Sequence, residues 1–504
     1  MEFSIFDKGA FAPCPAPFNL AQHVLAAGVK TPDKIALSIV SPTSKQSWTY
    51  AELTAAIRGT ATGLLKVGLR PGDILLMRLG NSVDFPIAYL GAIAAGIVPV
   101  PTSSQLTAFE VSKILDQLSP SGILLGDGIA CPDTDILTFG PDTFEAWHAL
   151  PPADYDMGDP NRLAYIIYTS GTSGIPRAVG HAHRAIWARQ MMMDGWYDLR
   201  SEDVLLHAGA FNWTYTLGTG LMDPWTKGAT AIIPAAGTDP AQLALLLHQS
   251  HATIFAAVPG VYRQILKFPV PDLPDLRHGL AAGEKLSSSL RDQWRDVAGT
   301  EIYEAYGMSE CSTFISSSPG TATQVGTLGR PQIGRRVALT DDGGHPVPIG
   351  QEGVIAVYRD DPGLMLGYIG ADQATKDKYA NGWFLTGDRA VMTANGDISY
   401  LGRSDDMMNA GGYRVSPLEV EAALAGLPGV QELAVTDIAV KKDLRLIAAF
   451  YTAQETLDED SLKSIAASRL ARYKCPRTFI RIDAMPKNAN GKLLRNHLKN
   501  MVPG

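Results

Sequence analysis

The sequence predicts an α/β fold, and two observations carry that prediction. Short β-branched runs recur along the chain, for example ILLM at 74–77, GILLG at 122–126 and LAYIIYTS at 163–170. Patterns with helical spacing lie between such runs, as in YAELTAAIRGTATGLLKVGL at 50–69. Alternation of strand and helix is typical of sheets whose strands run largely parallel.

The following elements fit the same scheme. The most apolar stretch, at 85–104, is interrupted by proline and glycine, which favours a buried helix running into a short strand over a membrane span. Further strands are predicted at 230–234 and 252–259. Asp239 before Pro240 is typical of a helix N-cap followed by proline at the first helical position.

Beyond about residue 320 the pattern changes to glycine-punctuated strands, which predict hairpins or a small barrel. The last hundred or so residues return to mixed α/β, with a helix at 417–430 and a strand at 445–452. The polar, glycine-bearing segment YLGRSDDMMNAGGYRV at 400–415 separates the two regions, and we place a hinge there.

Composition excludes some functions. A net charge of -8 over 504 residues argues against a constitutive nucleic-acid or anionic-membrane surface. The N-terminus lacks the pattern of a secretory leader. The four cysteines lie far apart without metal-ligand spacing, which favours a reducing compartment. We therefore expect a cytoplasmic protein without nucleic-acid partners or integral membrane association.

One glycine-rich segment suggests phosphate binding. In YTSGTSGIPRA at 168–178, hydroxyls and unencumbered backbone N–H groups follow a strand and could form an anion-binding nest. The spacing does not match a Walker A loop. A flexible linker is the alternative, although a buried strand directly before it fits that poorly.

Three other motifs are weak when taken singly. In EIYEAYGMSE, Glu310 follows a predicted Tyr306–Gly307 turn and could hold Mg²⁺. In FLTGDRA, Asp388 follows Thr-Gly at a predicted strand end and could accept hydrogen bonds from ribose hydroxyls. Lys492 in PKNANGKLLR follows Asn-Gly on a predicted mobile turn. Each alone is as well explained by an ordinary turn or a solvated side chain.

Order and spacing join these motifs. The succession YTSGTSGIPRA, YGMSE, TGD, GRSDD and NGKLLR resembles the adenylate-forming superfamily of acyl-CoA synthetases, adenylation domains and luciferases, over essentially the whole chain. The segments NAGGYRVSPLEVE, YKCPR and AAGEKL look most like the acetyl and medium-chain acyl-CoA synthetase branch. The resemblance implies an N-terminal domain of two α/β sheets and a small β-barrel at 1–402, a hinge at 403–406 and a small mobile α+β domain at 407–504.

The resemblance also implies an AMP-forming acid–thiol ligase that uses ATP, Mg²⁺ and CoA. Lys492, Ser309 and the metal ligand Glu310 are its implied catalytic residues, and Asp405 is the implied pivot of domain rotation. Arg177 stands where the family commonly has lysine and keeps the positive charge. The implied nucleotide contacts are Thr169, Ser170, Gly171, Thr172, Ser173, Gly174, Arg177, Gly283, Glu284, Lys285, Glu304, Ala305, Tyr306, Gly307, Asp388, Tyr400, Arg403 and Arg414. The implied CoA contacts are Gly411, Gly412 and Tyr413.

The acid is less well defined. By resemblance, Trp213, Tyr215, Gly218 and Gly307 are candidates to line the acyl chamber, with plain core as the alternative for the aromatic residues. Gly307 stands where acetate-specific relatives have tryptophan, which implies an acid larger than acetate, medium-chain or aromatic. Asn212 lacks the charge that would pair an α-amino group. The sequence shows no obvious basic residue that would pair the second carboxylate of a dicarboxylic acid. Arg189, Arg263 and Lys285 stay open as candidates for that role.

Two alternatives to a free-standing acyl-CoA synthetase stay open. A ligase that loads a carrier-protein phosphopantetheine needs the same first step. A degenerate member that only binds a nucleotide is disfavoured because Glu310, Asp388, Arg403 and Lys492 are all present. A homodimer also stays open.

Overall fold

The structure is a computed structural model, and it divides the chain into two compact units. It describes residues 2–169, 177–321, 323–403, 408–410, 413–441, 444–470, 474–488 and 491–501. The smaller unit contains Met1–Ile5, Val337–Val357 and Ala380–Gly504, and the larger contains Phe6–Arg336 and Tyr358–Tyr379. Residues 404–407 lie outside the described part, so the hinge at 403–406 and the boundary beside it stay predictions.

A nine-stranded sheet dominates the larger unit. Its strands in spatial order are Arg330–Pro331, Ser312–Ser316, Ile302–Met308, His278–Ala282, Ile254–Ala257, Val204–His207, Thr230–Pro234, Ile35–Val40 and Lys45–Thr49. Neighbours from Ile302–Met308 to Ile35–Val40 run parallel, and the marginal strands pair antiparallel. The parallel strands therefore end at one edge, where ligands commonly bind in α/β sheets.

Two further sheets complete this unit. A four-stranded parallel sheet has the order Val98–Pro101, Ile74–Arg78, Gly122–Leu125 and Leu137–Phe139. A three-stranded antiparallel sheet contains Leu163–Thr169, Arg177–Ala182 and Gly367–Tyr368. The predicted phosphate loop thus connects two paired strands, while residues 170–176 themselves lie outside the described part.

The smaller unit has the predicted hairpins and a mixed α/β end. A six-stranded sheet, most of whose residues belong to this unit, contains Ile5–Asp7, Arg336–Thr340, Glu352–Tyr358, Trp383–Met392, Tyr379–Ala380 and Ile398–Arg403. Met408–Ala410 pairs with Tyr413–Val415, and a last sheet contains Glu432–Lys441, Leu444–Thr452 and Thr478–Arg481. Val420, Val435, Tyr451 and Leu462 belong to the apolar core that the final sheet shares with its helices.

Helices cover the sheets, and several of them begin at capping residues that the sequence supplies. Thr49 and Glu52 form a capping box, and the Asp239 side chain accepts a hydrogen bond from the Ala241 N–H, as its predicted cap role requires. The α-helices are Leu20–Leu25, Tyr50–Lys66, Asp84–Ala94, Ala108–Leu118, Pro141–Trp147, Ala185–Ala188, Gln190–Met192, Asp223–Lys227, Leu243–Gln249, Pro259–Ile265, Ser288–Ala298, Asp372–Lys376, Pro417–Ala423, Glu459–Arg469 and Arg495–Leu498. Ala26–Lys30 and Pro240–Gln242 are 3₁₀ helices, and Met193–Tyr197 and Thr216–Met222 are π-helices.

The apolar stretch at 85–104 forms the predicted buried helix and strand. Ten of the eleven residues of the helix Asp84–Ala94 are buried, and the strand Val98–Pro101 follows it. Within the part of the chain that the structure describes, no helix has the length and apolar character needed to cross a membrane.

Candidate active site

The turn that carries Ser309 and Glu310 is held against the strand that follows the predicted phosphate loop. His181, in the strand Arg177–Ala182, donates its Nε2–H to the carbonyl oxygen of Ser309 at 2.8 Å. Burial lowers the pKa of His181 to about 4, so the ring is neutral at physiological pH and can hold this tautomer. The ring also stacks on Tyr165, with centroids 4.9 Å apart. Two predicted motifs are thereby fixed side by side.

Glu310 is held by the strand Gly367–Tyr368, which lies next in the same sheet. The Tyr368 hydroxyl donates to Glu310 Oε1 at 2.6 Å, and the Met365 N–H donates to the Glu310 carbonyl oxygen at 2.7 Å. The Arg177 guanidinium lies 5.8 Å from the centroid of the Tyr368 ring. Arg177, Tyr368 and Glu310 therefore form one row of a cation, a phenol and a carboxylate.

The residues of this row fit a magnesium–phosphate group. Within the described residues no cluster of three or more acidic, histidine or cysteine side chains could hold a metal ion. Mg²⁺ in nucleotide sites needs only one or two carboxylates, because phosphates and water supply the other ligands. Glu310 Oε1 is occupied by Tyr368, and Oε2 has no hydrogen-bond partner among the described residues. Glu310 can thus offer one carboxylate oxygen to a cation.

The two predicted halves of the adenine pocket meet at the carboxyl edge of the nine-stranded sheet. Ala282 pairs with Ala305 across neighbouring parallel strands, so Gly283–Lys285 leave the sheet beside Tyr306, which continues its own strand. Glu304 Oε1 accepts a hydrogen bond from the Leu286 N–H at 2.9 Å, which holds the AAGEKL turn in place. Burial raises the pKa of Glu304 to about 7, against the opposing effect of that hydrogen bond. The Glu304 side chain therefore positions the turn.

The predicted Tyr306–Gly307 turn is wrong. Both residues lie inside the strand Ile302–Met308, where a bulge between them shifts the pairing with Ser312–Ser316. A Cβ at Gly307 would lie 2.5 Å from the Thr313 Cα and 2.6 Å from the Ser312 carbonyl carbon. The close approach of the two backbones itself requires glycine, so Gly307 alone does not report the depth of an acyl chamber.

The acyl candidates do not all face open space. Tyr215 stacks on Trp196 at 6.0 Å and meets His207 edge-on at 4.5 Å, so the core alternative accounts for its ring. Trp213 is half-buried. A Cβ at Gly218 would lie 2.5 Å from Cζ of Arg189, so the guanidinium fills the space beside this glycine.

The other basic residues left open for a dicarboxylate differ from Arg189. Lys285 and Arg263 are exposed, whereas Arg189 is buried and paired with Asp223. A distal carboxylate would therefore meet a guanidinium whose charge is already matched.

Asp388, Tyr400 and Arg403 come together in the smaller unit. Asp388 lies in the middle of the strand Trp383–Met392, so its predicted place at a strand end is wrong. It is directly opposite Arg403 in the neighbouring strand, with Arg403 Nη1 at 3.8 Å and the Tyr400 hydroxyl at 3.2 Å from Oδ1. Gly387 has a φ of 82°. Glycine adopts this left-handed conformation without strain, so it suits the bulged strand. The trio forms a polar site suited to hydroxyl or phosphate oxygens.

Lys492 lies on an exposed turn of the smaller unit. Asn488 and Lys492 exchange hydrogen bonds: the Lys492 N–H donates to Asn488 Oδ1 and the Asn488 N–H to the Lys492 carbonyl oxygen, both at 2.9 Å. These two hydrogen bonds hold the backbone of Asn488 and Lys492 together, and the exposed Lys492 ammonium can reach into solvent. Several predicted residues lie outside the described part: Ser170, Gly171, Thr172, Ser173, Gly174, Asp405, Gly411 and Gly412. For Thr169, Tyr413 and Arg414 the structure describes the backbone only.

Comparison with known proteins decides the family. The profile of the AMP-binding enzyme family matches residues 25–369, and that of the AMP-binding enzyme C-terminal domain matches 419–492. The chain belongs to the AMP-binding enzymes. It is 30% identical to a benzoate–CoA ligase from Thauera aromatica, covering 90% of each protein. It is 28% identical to the mitochondrial acyl-coenzyme A synthetase ACSM3 of Rattus norvegicus, covering 96% of this chain and 90% of that protein.

The fold agrees with this family. The structure of ATP-bound MatB from Rhodopseudomonas palustris matches with a TM-score of 0.87 at 25% identity, covering 96% of this chain and 99% of that one. The resemblance to the adenylate-forming superfamily is confirmed, and this AMP-binding enzyme is a ligase. Acyl-CoA synthetases of the family use ATP, Mg²⁺ and CoA.

Three positioning residues of this AMP-binding enzyme have no recognisable signal in the sequence. His181 lies four residues after Arg177, and a histidine in an apolar strand gave no indication of its partner. Tyr368 is 58 residues from Glu310, and Asp223 is 34 residues from Arg189. Such pairs become visible only when the sheets are assembled.

Proposed function

We propose that this AMP-binding enzyme activates a carboxylic acid larger than acetate and transfers the acyl group to CoA. The row of Arg177, Tyr368 and Glu310, with Ser309 fixed by His181, carries the proposal. It places a cation and a hydroxyl on adjoining strands, beside a turn whose carboxylate has one oxygen uncommitted among the described residues. That set can bind a nucleoside triphosphate and its metal.

In the first half-reaction an oxygen of the acid attacks the α-phosphorus of ATP, and the bond to pyrophosphate breaks. Arg177 offers a planar fork to phosphate oxygens. Ser309 offers a hydroxyl to the α-phosphate, and Tyr306 packs the adenine base. Mg²⁺ held by Glu310 would neutralise phosphate charge. Lys492 is proposed to bridge the acid and the α-phosphate, where a cation offsets repulsion between two anions.

In the second half-reaction the CoA thiol sulfur attacks the carbonyl carbon of the adenylate. The bond from that carbon to the phosphate oxygen breaks, AMP leaves with the electron pair, and the thiol proton passes to solvent. We propose that the C-terminal domain, residues 407–504, turns about Asp405 so that Lys492 withdraws and Gly411, Gly412 and Tyr413 reach the pantetheine arm. Asp388, Tyr400 and Arg403 would hold the ribose, with Arg414 near the nucleotide.

The acid is proposed to be medium-chain or aromatic. The relative from Thauera aromatica is named for benzoate, which supports an aromatic acid. Trp213 is half-buried and can offer one face to a flat or apolar group. Asn212 carries no charge, which disfavours an α-amino acid.

Pyrophosphate release with a panel of acids, measured with and without CoA, tests this function. We expect release that depends on the acid and a thioester that forms only with CoA. Release without a thioester on adding CoA would favour a carrier-protein acceptor. A panel that gives no release from any acid would refute the activity and leave a nucleotide-binding role.

A further inference from the structure

Arg189 and Asp223 form a buried ion pair in the larger unit. Arg189 is 8% exposed, and Asp223 is fully buried. The guanidinium binds the carboxylate as a fork, Nε to Oδ1 at 2.9 Å and Nη2 to Oδ2 at 2.6 Å. Asp223 also accepts the Tyr197 hydroxyl at 2.8 Å. The charge of Asp223 is therefore fully matched inside the protein.

The guanidinium has one more donor than the described residues engage. Of its five N–H groups, Nε and Nη2 face Asp223, with the Tyr197 and Thr219 oxygens 3.3 and 3.4 Å from Nη2. Nη1 donates to Ser312 Oγ. The second Nη1 hydrogen has no acceptor within the described residues. A buried donor on a charged group is costly to leave unmatched, so an acceptor brought by a ligand would bind favourably there.

This donor lies beside Gly218 and, through Ser312, near Gly307, the two glycines that were predicted to line the acid. A Cβ at Gly218 would lie 2.9 Å from Nη1. Nη1 also donates to Ser312, whose carbonyl carbon borders Gly307 and which lies two residues after Glu310. The guanidinium is thus next to the turn at which the acid must meet the α-phosphate.

The backbone around the pair is unusual. Tyr197 ends the π-helix Met193–Tyr197, and Thr219 lies within the π-helix Thr216–Met222, which Asp223 follows. π-Helical turns are rare and occur frequently at functional sites. Two of them converge here on one guanidinium, which supports a role beyond packing.

We propose that Arg189 Nη1 recognises a neutral hydrogen-bond acceptor on the body of the acid, away from its reacting carboxylate. This specificity rests on the proposed function. An unsubstituted chain or ring would leave the N–H unmatched. A second carboxylate would add a buried negative charge beside Asp223, which the single guanidinium already neutralises. Hydroxy- and oxo-substituted acids are therefore the favoured class.

Matched acids test the proposal. Benzoate is compared with its three hydroxybenzoates, hexanoate with 6-hydroxyhexanoate and 5-oxohexanoate, and adipate serves as the dicarboxylate. Acid binding is measured by calorimetry and turnover by pyrophosphate release. We expect at least one substituted acid to exceed its unsubstituted partner about tenfold in kcat/KM and in affinity, with adipate the weakest.

Two variants separate recognition from folding. Arg189→Met combined with Asp223→Leu removes both charges, so no buried ion is left unpaired. The preference, which is the ratio of kcat/KM for the substituted acid to that for its unsubstituted partner, should fall to about one. Arg189→Lys keeps a charge for Asp223 but loses the Nη1 donor, and the preference should fall in the same direction. Arg295→Met, an exposed arginine in the helix Ser288–Ala298, should leave it unchanged.

Either of two results would overturn the proposal: the wild type prefers the unsubstituted acid in every pair, or both Arg189 variants keep the wild-type preference. Absence of pyrophosphate release with all acids would instead count against the proposed function. The calorimetric preference would still decide the role of Arg189 in that case.

Discussion

Glu304 should make the protein less stable as the pH rises from 4.5 to 7. Its carboxyl is buried beside Arg291 at 3.6 Å and near Lys285, yet burial dominates and raises its pKa from 4.5 to about 7. Below pH 4.5 the group is protonated in both the folded and the unfolded chain. Between pH 4.5 and 7 the unfolded chain loses this proton while the folded chain keeps it. The free energy of unfolding therefore falls, by about 3 kcal/mol in all.

Glu304→Gln removes this dependence while keeping an oxygen for the Leu286 N–H. We expect the variant to gain stability relative to the wild type as the pH is raised, reaching about 3 kcal/mol by pH 8. Urea unfolding at pH 5, 6, 7 and 8 measures the difference. Glu301→Gln, which alters an exposed carboxylate paired with Arg295, serves as the control and should differ by less than about 1 kcal/mol at every pH. A constant difference for Glu304→Gln across the series would refute the reasoning.

Three further variants test the site. Arg177→Ala should raise the apparent KM for ATP about tenfold and that for the acid less, because a charged phosphate contact is lost; an unchanged ATP dependence would place the arginine outside the phosphate site. Lys492→Ala should abolish adenylate formation, measured as acid-dependent pyrophosphate release, and leave thioester formation from supplied acyl-adenylate largely intact. Equal loss of both half-reactions would contradict the rotating-domain account. Gly307→Ala should lower the free energy of unfolding by about 1–3 kcal/mol, because the new methyl overlaps the Ser312–Thr313 backbone. It should also lower the activity with every acid to the same extent. A selective gain for short acids in the acid panel would show instead that this position sets chamber depth.

Periodicity and local chemistry predicted much of the fold. Asp239 caps its helix as its own side-chain chemistry dictates, and the apolar stretch at 85–104 contains the proline and glycine that divide it into helix and strand. The strand at 163–169 follows from its β-branched run. These features depend on neighbours a few residues away, so the sequence contains what is needed to predict them.

The site was predicted by residue type and much less by geometry. Glu310 and Asp388 were predicted from their motifs, but the predicted turn before Glu310 and the predicted strand end at Asp388 are wrong, because bulges and register set those positions. The hydrogen bond from Tyr368 to Glu310 and the fork between Arg189 and Asp223 join distant segments. Only the packing of the sheets and π-helices brings those partners together.

The bulge beside Gly307 also limits how this scaffold can change. Since no side chain fits there without moving the neighbouring strand, selection cannot shorten the proposed acyl chamber by enlarging this residue in one mutational step. Gly218 is closed to larger side chains as long as Arg189 lies against it. The accessible route to a new acid is therefore to exchange the Arg189–Asp223 pair first, after which Gly218 becomes free to vary. We therefore expect substitutions that change the substrate range to appear first at Arg189 and Asp223, next at Gly218, and last at Gly307 in the sheet.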